Sequence, residues 1–233
     1  ASSAATAAVF TIMADSANDN PQAVNDILGG LIGGTWTLRS KIVYTNFTNT
    51  AAGQEVFFEM GMCDVSSVTG ASPAGVEWVL AARGAHSATS TSNCSVIQFS
   101  SPLNNSSHGV HVAAPFSATR YIQLQRKGTN DIEMKEFSDS SYSVLLETLT
   151  VNPTAQAASN LRYLIARIIY NTTVTDTNTV SIEEIAFYNN TLTPVTPTWE
   201  FDGSPTGWTT TNNGGLVTLT AGSGASNAID DNL

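Results

Sequence analysis

Few residues of this chain are of a type and spacing that could do chemistry. His108 and His111 form H-G-V-H after Ser106 and Ser107, and two histidines three apart can share one side of a turn and ligate a metal. No third ligand lies near them in sequence, so a solvated loop is the expected role. His86 follows Arg83 in ARGAHSATS, a polar loop after the strand that carries Trp78. A nucleophile–base reading for Ser87 or Ser90 needs a strained G-x-S-x-G elbow, which the sequence lacks. No catalytic residue is therefore assigned. Glu133 and Glu136, and likewise Glu183 and Glu184, should face opposite sides of their strands, which argues against a local carboxylate pair. One of the last two could turn inward to meet Arg162 or Arg167.

Binding chemistry has better candidates. Trp199 and Trp208 flank the loop FDGSPTG and could offer ring faces to a sugar; Arg83 and His86 could add polar contacts. Trp36 and Trp78 sit inside strands and belong in a core. Asp15, Asp19 and Asp26, with Asn18, Asn20 and Asn25, offer hard oxygen ligands of the kind calcium takes. EF-hand spacing is absent, so acids at a helix N-terminus are the plainer explanation. Cys63 and Cys94 are the two cysteines, with no C-x-x-C. They are expected either as two buried thiols or, outside a reducing compartment, as one disulfide whose loop of about 30 residues would contribute roughly 3–4 kcal/mol.

Composition sets the surroundings. The 233 residues include 9 Lys and Arg against 19 Asp and Glu, a net charge of -10, so no basic footprint for nucleic acid exists. Charged residues are only 12%, while Ser, Thr and Asn make up about a third of the chain. An anionic membrane surface is a poor partner, and no apolar run approaches the roughly 18 residues of a spanning helix. The start, ASSAATAAVF, lacks the basic and apolar regions of an intact signal peptide. It fits a mature secreted end or a virion protein, so an extracellular or virion-surface setting is expected. The N-x-[ST] triplets are about as frequent as this composition gives by chance.

The elements that would position these residues are strands. Runs of β-branched and aromatic residues span 36–44, 55–60, 76–81, 94–99, 120–125, 131–137, 142–151, 161–170, 180–188, 198–201 and 216–220. In Tyr121–Gln125, Ile122 and Leu124 share one face and two glutamines the other, the mark of antiparallel sheets. Turn clusters separate the runs, and no long helix intervenes, so the expected fold is mainly β, an antiparallel jelly-roll-like sandwich. One short helix is expected over Pro21–Leu28, with Asn20 as cap and Gly29–Gly30 as stop. The division reads as an N-terminal segment 1–35, a sandwich 36–190, and a Pro/Thr linker with a C-terminal β extension, 191–233. The extension is too short to bury Trp199, Trp208, Leu216, Val217 and Leu219 alone, so it should pack on its own sandwich, on a following domain or on another copy.

Two segments share a shape: an Arg-Tyr strand (Arg120–Tyr121, Arg162–Tyr163), a polar turn, then an apolar strand carrying Glu and ending in an aromatic, DIEMKEF and SIEEIAFY. The second resembles the closing hairpin of discoidin-like (coagulation factor 5/8 type C) domains of the galactose-binding-like superfamily. ASNAIDDNL is similar to the opening of such domains, and TWEFDGSPTGW to first strands of some carbohydrate-binding modules. The resemblance covers about a quarter of the chain, and the flanking cysteine pair of the animal domains is absent. It implies a calcium-supported sandwich that binds sugars or surfaces through loops at one end. Two functions follow as expectations: a non-catalytic glycan-recognising or adhesive module, or a self-assembling subunit of a capsid, fibre or filament that associates through its C-terminal extension.

Overall fold

A computed structural model describes residues 9–14, 21–32, 34–46, 55–66, 76–86, 92–100, 118–128, 131–151, 160–170, 178–200, 208–211 and 216–220. They form fourteen strands: β1 Val9–Ala14, β2 Gln22–Asn25, β3 Trp36–Asn46, β4 Glu55–Cys63, β5 Trp78–His86, β6 Ser92–Ser100, β7 Ala118–Gly128, β8 Asp131–Phe137, β9 Leu145–Val151, β10 Tyr163–Tyr170, β11 Asn178–Asn189, β12 Trp199–Glu200, β13 Trp208–Thr211 and β14 Leu216–Thr220. All pairings are antiparallel. One sheet has eight strands in the order β14-β1-β11-β3-β7-β8-β9, with β12 also on β11; the other has six, β13-β2-β10-β4-β5-β6. The fold is a β-sandwich.

Period-2 alternation builds the layer between the sheets. From the eight-stranded sheet come Trp36, Leu38, Ile42, Ile122, Leu124, Met134, Ile182 and Phe187. From the six-stranded sheet come Phe58, Met60, Met62, Val79, Leu164, Ala166 and Ile168. Each is buried, so several dozen apolar side chains stabilise the stack at roughly 1.5–3 kcal/mol apiece before entropy is counted. The six-stranded sheet is buried on its second face as well: Val24, Cys63, Trp78, Leu80 and Ile165 form a separate apolar cluster. Gly61 is required there. A Cβ on it would stand 2.1 Å from the Val79 carbonyl oxygen and 2.8 Å from Leu80 Cα, so β4 and β5 could not approach as they do.

The helix expected over Pro21–Leu28 is not formed. Gln22–Asn25 is strand β2, buried along its whole length between β10 and β13. Proline before and glycines after bound a short strand as well as they bound a helix, and sheet pairing on both sides overrides a four-residue helical preference. Gly29, at φ 64°, marks a turn. The C-terminal strands find partners within the chain: β14 pairs with β1 from Val9↔Thr220 to Met13↔Leu216, and β13 pairs with β2. The Thr191–Thr198 segment turns back on the sheet, with Thr198 N–H donating to Phe187 O at 2.7 Å.

Candidate functional site on the eight-stranded sheet

The outward face of the eight-stranded sheet is a grid of polar side chains fixed by register. On β3 stand Thr37, Arg39 and Lys41. Across from them on β7 stand Gln125, Gln123 and Tyr121, and next on β8 Glu133, Lys135 and Phe137. On β11, Glu183 lies opposite Lys41, Ala186 opposite Arg39 and Tyr188 opposite Thr37. Between Glu183 and Ala186 the ladder slips by one residue. That bulge puts Glu184 at φ 52°, in the left-handed region that a non-glycine residue seldom occupies.

Arg39 is the centre of this grid. Its Nε donates to Gln123 Oε1 at 2.8 Å, and its guanidinium carbon lies 4.2 Å from the ring centroid of Tyr142. Tyr142 comes from the β8–β9 turn and is the second left-handed non-glycine residue here, at φ 54°. Its ring packs edge-on against Tyr121 and Phe137, at 5.8 and 5.4 Å between centroids. Burial pushes its phenol well above the ordinary range, so the hydroxyl stays protonated and can donate. Asp139 locks the turn: its carboxylate accepts from Ser141 Oγ, from Ser143 Oγ at 2.8 Å, and from the Ser143 and Val144 N–H groups at 3.1 and 2.6 Å.

Neighbouring charges are matched. Lys41 Nζ reaches Glu183 Oε2 at 2.6 Å and Glu184 Oε1 at 4.0 Å, and the Glu183 bond holds its ammonium above the ordinary lysine value. Glu133 takes Lys127 and Lys135 at 2.6 and 2.7 Å. Burial alone would raise the Glu133 carboxyl, but the two lysines hold it below the usual carboxylate range. The far end of the grid is closed by the chain after β11: Gln125 Nε2 donates to Thr37 Oγ1 and to Leu192 O, both at 2.9 Å. The arrangement offers fixed donors, fixed acceptors and ring faces. Among the described residues it holds no nucleophile paired with a base.

Glu183 and Glu184 therefore share a side, against the expectation that adjacent strand residues diverge, because the bulge inserts one residue. Neither meets an interior arginine. Arg167 Nε instead binds Glu59 Oε2 at 2.6 Å on the buried outer face of the six-stranded sheet, with Trp78 below at 5.5 Å. Arg162 Nε binds Asp26 Oδ2 at 2.9 Å. Asp26 thus gives one carboxylate oxygen, Oδ2, to a guanidinium; Asp15 and Asp19 lie outside the described residues. No group of three or more His, Cys, Asp or Glu among the described residues could hold a metal.

The other anticipated residues are dispersed. Trp199 is in β12 on the eight-stranded sheet, opposite Phe187, whereas Trp208 is in β13 on the other sheet and packs against the central core. Arg83 and His86 lie on β5, opposite Phe58 and Glu55, with side chains outside the described set. His108 and His111 are also outside it. Cys63 is a free, buried thiol whose Sγ lies 3.1 Å from Val65 O. Of the two alternatives for the cysteines, the disulfide is not made: Cys63 lies opposite Trp78 and Cys94 opposite Gly84, six positions further along β5. That offset alone is about 20 Å at roughly 3.3 Å per residue, far beyond a disulfide's reach.

No family model and no curated protein matches the chain. Solved structures do. The CBM2 module of the Lactobacillus casei BL23 phage J-1 evolved Dit is 8% identical over 69% of this chain and 64% of that one, with a TM-score of 0.44. The Ca2+/Man3GlcNAc-bound exoplasmic/lumenal domain of VIP36 is 6% identical over 80% and 81%, with 0.45. Family 7 alginate lyase A1-II' in a substrate complex is 12% identical over 71% and 66%, with 0.42. This chain thus spans just under two thirds of the phage module and of the lyase. None of the three reaches a TM-score of 0.5, and no residue role passes from them to this chain.

Proposed function

We propose that this chain is a non-catalytic carbohydrate-binding module, on a secreted or virion-surface protein, whose ligand lies on the outer face of the eight-stranded sheet over Arg39. One observation carries the reading. Tyr142 and Glu184, both non-glycine residues at φ 54° and 52°, flank the same Arg39–Lys41 pair, one from the β8–β9 turn and one from β11. Left-handed backbone costs about 1–2 kcal/mol per such residue, and strain of this kind gathers at binding sites. Fixed donors on Arg39 and Lys41, acceptors on Glu183 and Glu184, and the rings of Tyr121 and Tyr142 match the alternating hydroxyls and apolar faces of a pyranose. The site moves the ligand away from Trp199, Trp208, Arg83 and His86. A glycan array followed by calorimetry tests it. Arg39→Ala and Tyr142→Ala should each weaken the best hit at least tenfold while the fold is retained; unchanged affinity in both would remove the site.

A second reading, a self-assembling structural subunit, has its own support. Val144, Leu145 and Leu146 are 53%, 50% and 40% exposed at the start of β9, which pairs among the described residues with β8 alone. An apolar strand edge invites another chain. Light scattering across a concentration series separates the readings: a monomer that binds sugar supports the first, large assemblies without sugar the second.

A further inference from the structure

Resting on that reading, we infer that the glycan bound over Arg39 carries a carboxylate, as a uronic or ulosonic acid residue, and that the Arg39 terminal nitrogens receive it. The chain is strongly anionic, with nine Lys and Arg residues in all. Four of them, Arg39, Lys41, Lys127 and Lys135, stand on this one face. Most described cations already rest on a carboxylate oxygen: Lys41 on Glu183, Lys127 and Lys135 on Glu133, Arg120 on Glu136, Arg162 on Asp26 and Arg167 on Glu59. Arg39 differs. Its bonded partner is the neutral amide of Gln123, and among the described residues no hydrogen bond takes up Nη1 or Nη2.

The guanidinium is also oriented. Gln123 fixes Nε, and the Tyr142 ring covers one face, so the plane cannot swing freely. A planar fork with two free terminal nitrogens matches a carboxylate, which can accept both bonds in one plane. Ala186, directly across the ladder on β11, is buried and brings only a methyl group, so it adds no polar group that could compete for the terminal nitrogens of Arg39. Glu133, Glu183, Glu184 and the rim residue Asp131 offset the four cations, so the face suits a single negative charge better than a polyanion.

The test prints carboxylated oligosaccharides (galacturonate, glucuronate and sialic acid) beside their methyl esters and beside sulfate esters of the same sugars. The full chain is probed, with affinities taken by calorimetry. One acid should bind at least tenfold tighter than its ester, and Arg39→Gln, which keeps a neutral donor, should erase that difference. Glu184→Gln, at an exposed position, should tighten the acid by removing a nearby negative charge, which guards against a fold defect in the first variant. Equal binding of acid and ester overturns the carboxylate assignment but leaves the glycan site standing. A preference for the sulfate esters overturns it too. No binding to any sugar overturns this inference together with the site.

Discussion

Glu184 stands one residue out of step with the β3–β11 ladder, and its Oε1 comes to 4.0 Å from Lys41 Nζ on the same side as Glu183. Two carboxylates that alternation would separate are thereby placed beside one ammonium. The bulge costs backbone strain at the position that creates this grouping.

That strain can be measured. Glycine at 184 adopts φ 52° freely, at the expense of unfolded-state entropy. Glu184→Gly should therefore raise unfolding stability by up to about 1 kcal/mol, or roughly 2–4 °C in Tm for a chain of this size. Calorimetric scanning checks it; a loss of stability would mean that the carboxylate contributes more than the strain costs.

The Arg167–Glu59 pair makes a sharper demand. Both side chains are 1% exposed, so neither charge can turn to water when the other is removed. Glu59→Ala should cost about 3–5 kcal/mol, whereas Glu59→Leu combined with Arg167→Met should recover most of that. Urea titrations of the single and double variants give the comparison. Equal losses in the two would show that the ion pair itself, rather than an orphaned charge, sets the energy.

Asp139 gives a pH dependence with a defined sign. Bonds from Ser141, the Val144 N–H and Ser143 hold its carboxyl far below the ordinary aspartate value. A depressed folded-state value means that its contribution is complete above about pH 4, the unfolded value, and is lost as the pH falls toward the folded one. Tyr142 rides on this turn. Its ring resonances should keep their native shifts from pH 7 down to about pH 4 and move toward random-coil values below that, and Asp139→Asn should produce the shifted spectrum already at pH 7.

Cys63 has the opposite sign. Burial pushes its thiol up to about 12, so the folded chain favours the protonated form. That preference is intact below the ordinary thiol range, near 8.5, and is lost as the pH rises toward about 12. At pH 8 a disulfide reagent should label Cys63 only at the rate of unfolding, and immediately in denaturant. Prompt labelling of the native chain would show that the second face of the six-stranded sheet opens locally.

The layer scheme was legible where alternation was clean. Ile122 and Leu124 read as inward and are core; Gln123 and Gln125 read as outward and line the grid. Asp131–Phe137 and Leu216–Thr220 fall where their β-rich runs predict. Short strands escaped. Val9–Ala14 carried no turn signal before it, Gln22–Asn25 wore helix punctuation, and Trp208–Thr211 is three threonines behind a tryptophan. Their identity comes from the edges they pair with, which no local window contains. The candidate site was missed for a related reason. Ile182 and Ile185, both buried, are three apart in SIEEIAF, which strict alternation forbids and a bulge requires. That spacing was the available signal. The β-rich run over 142–151 puts Tyr142 at the start of a strand, whereas β9 begins at Leu145 and Tyr142 lies in the turn that Asp139 folds.

In both sheets an early strand of the described residues lies beside a late one, β1 against β14 and β2 against β13. During synthesis, a chain that has emerged as far as β11 can stack its core but leaves two open ladders along β1 and β2, each ready to accept any extended peptide. Closure waits for Trp208–Thr211 and Leu216–Thr220, nearly two hundred residues after their partners. A ribosome that stalls between β11 and β13 would therefore release a sticky, half-sealed product.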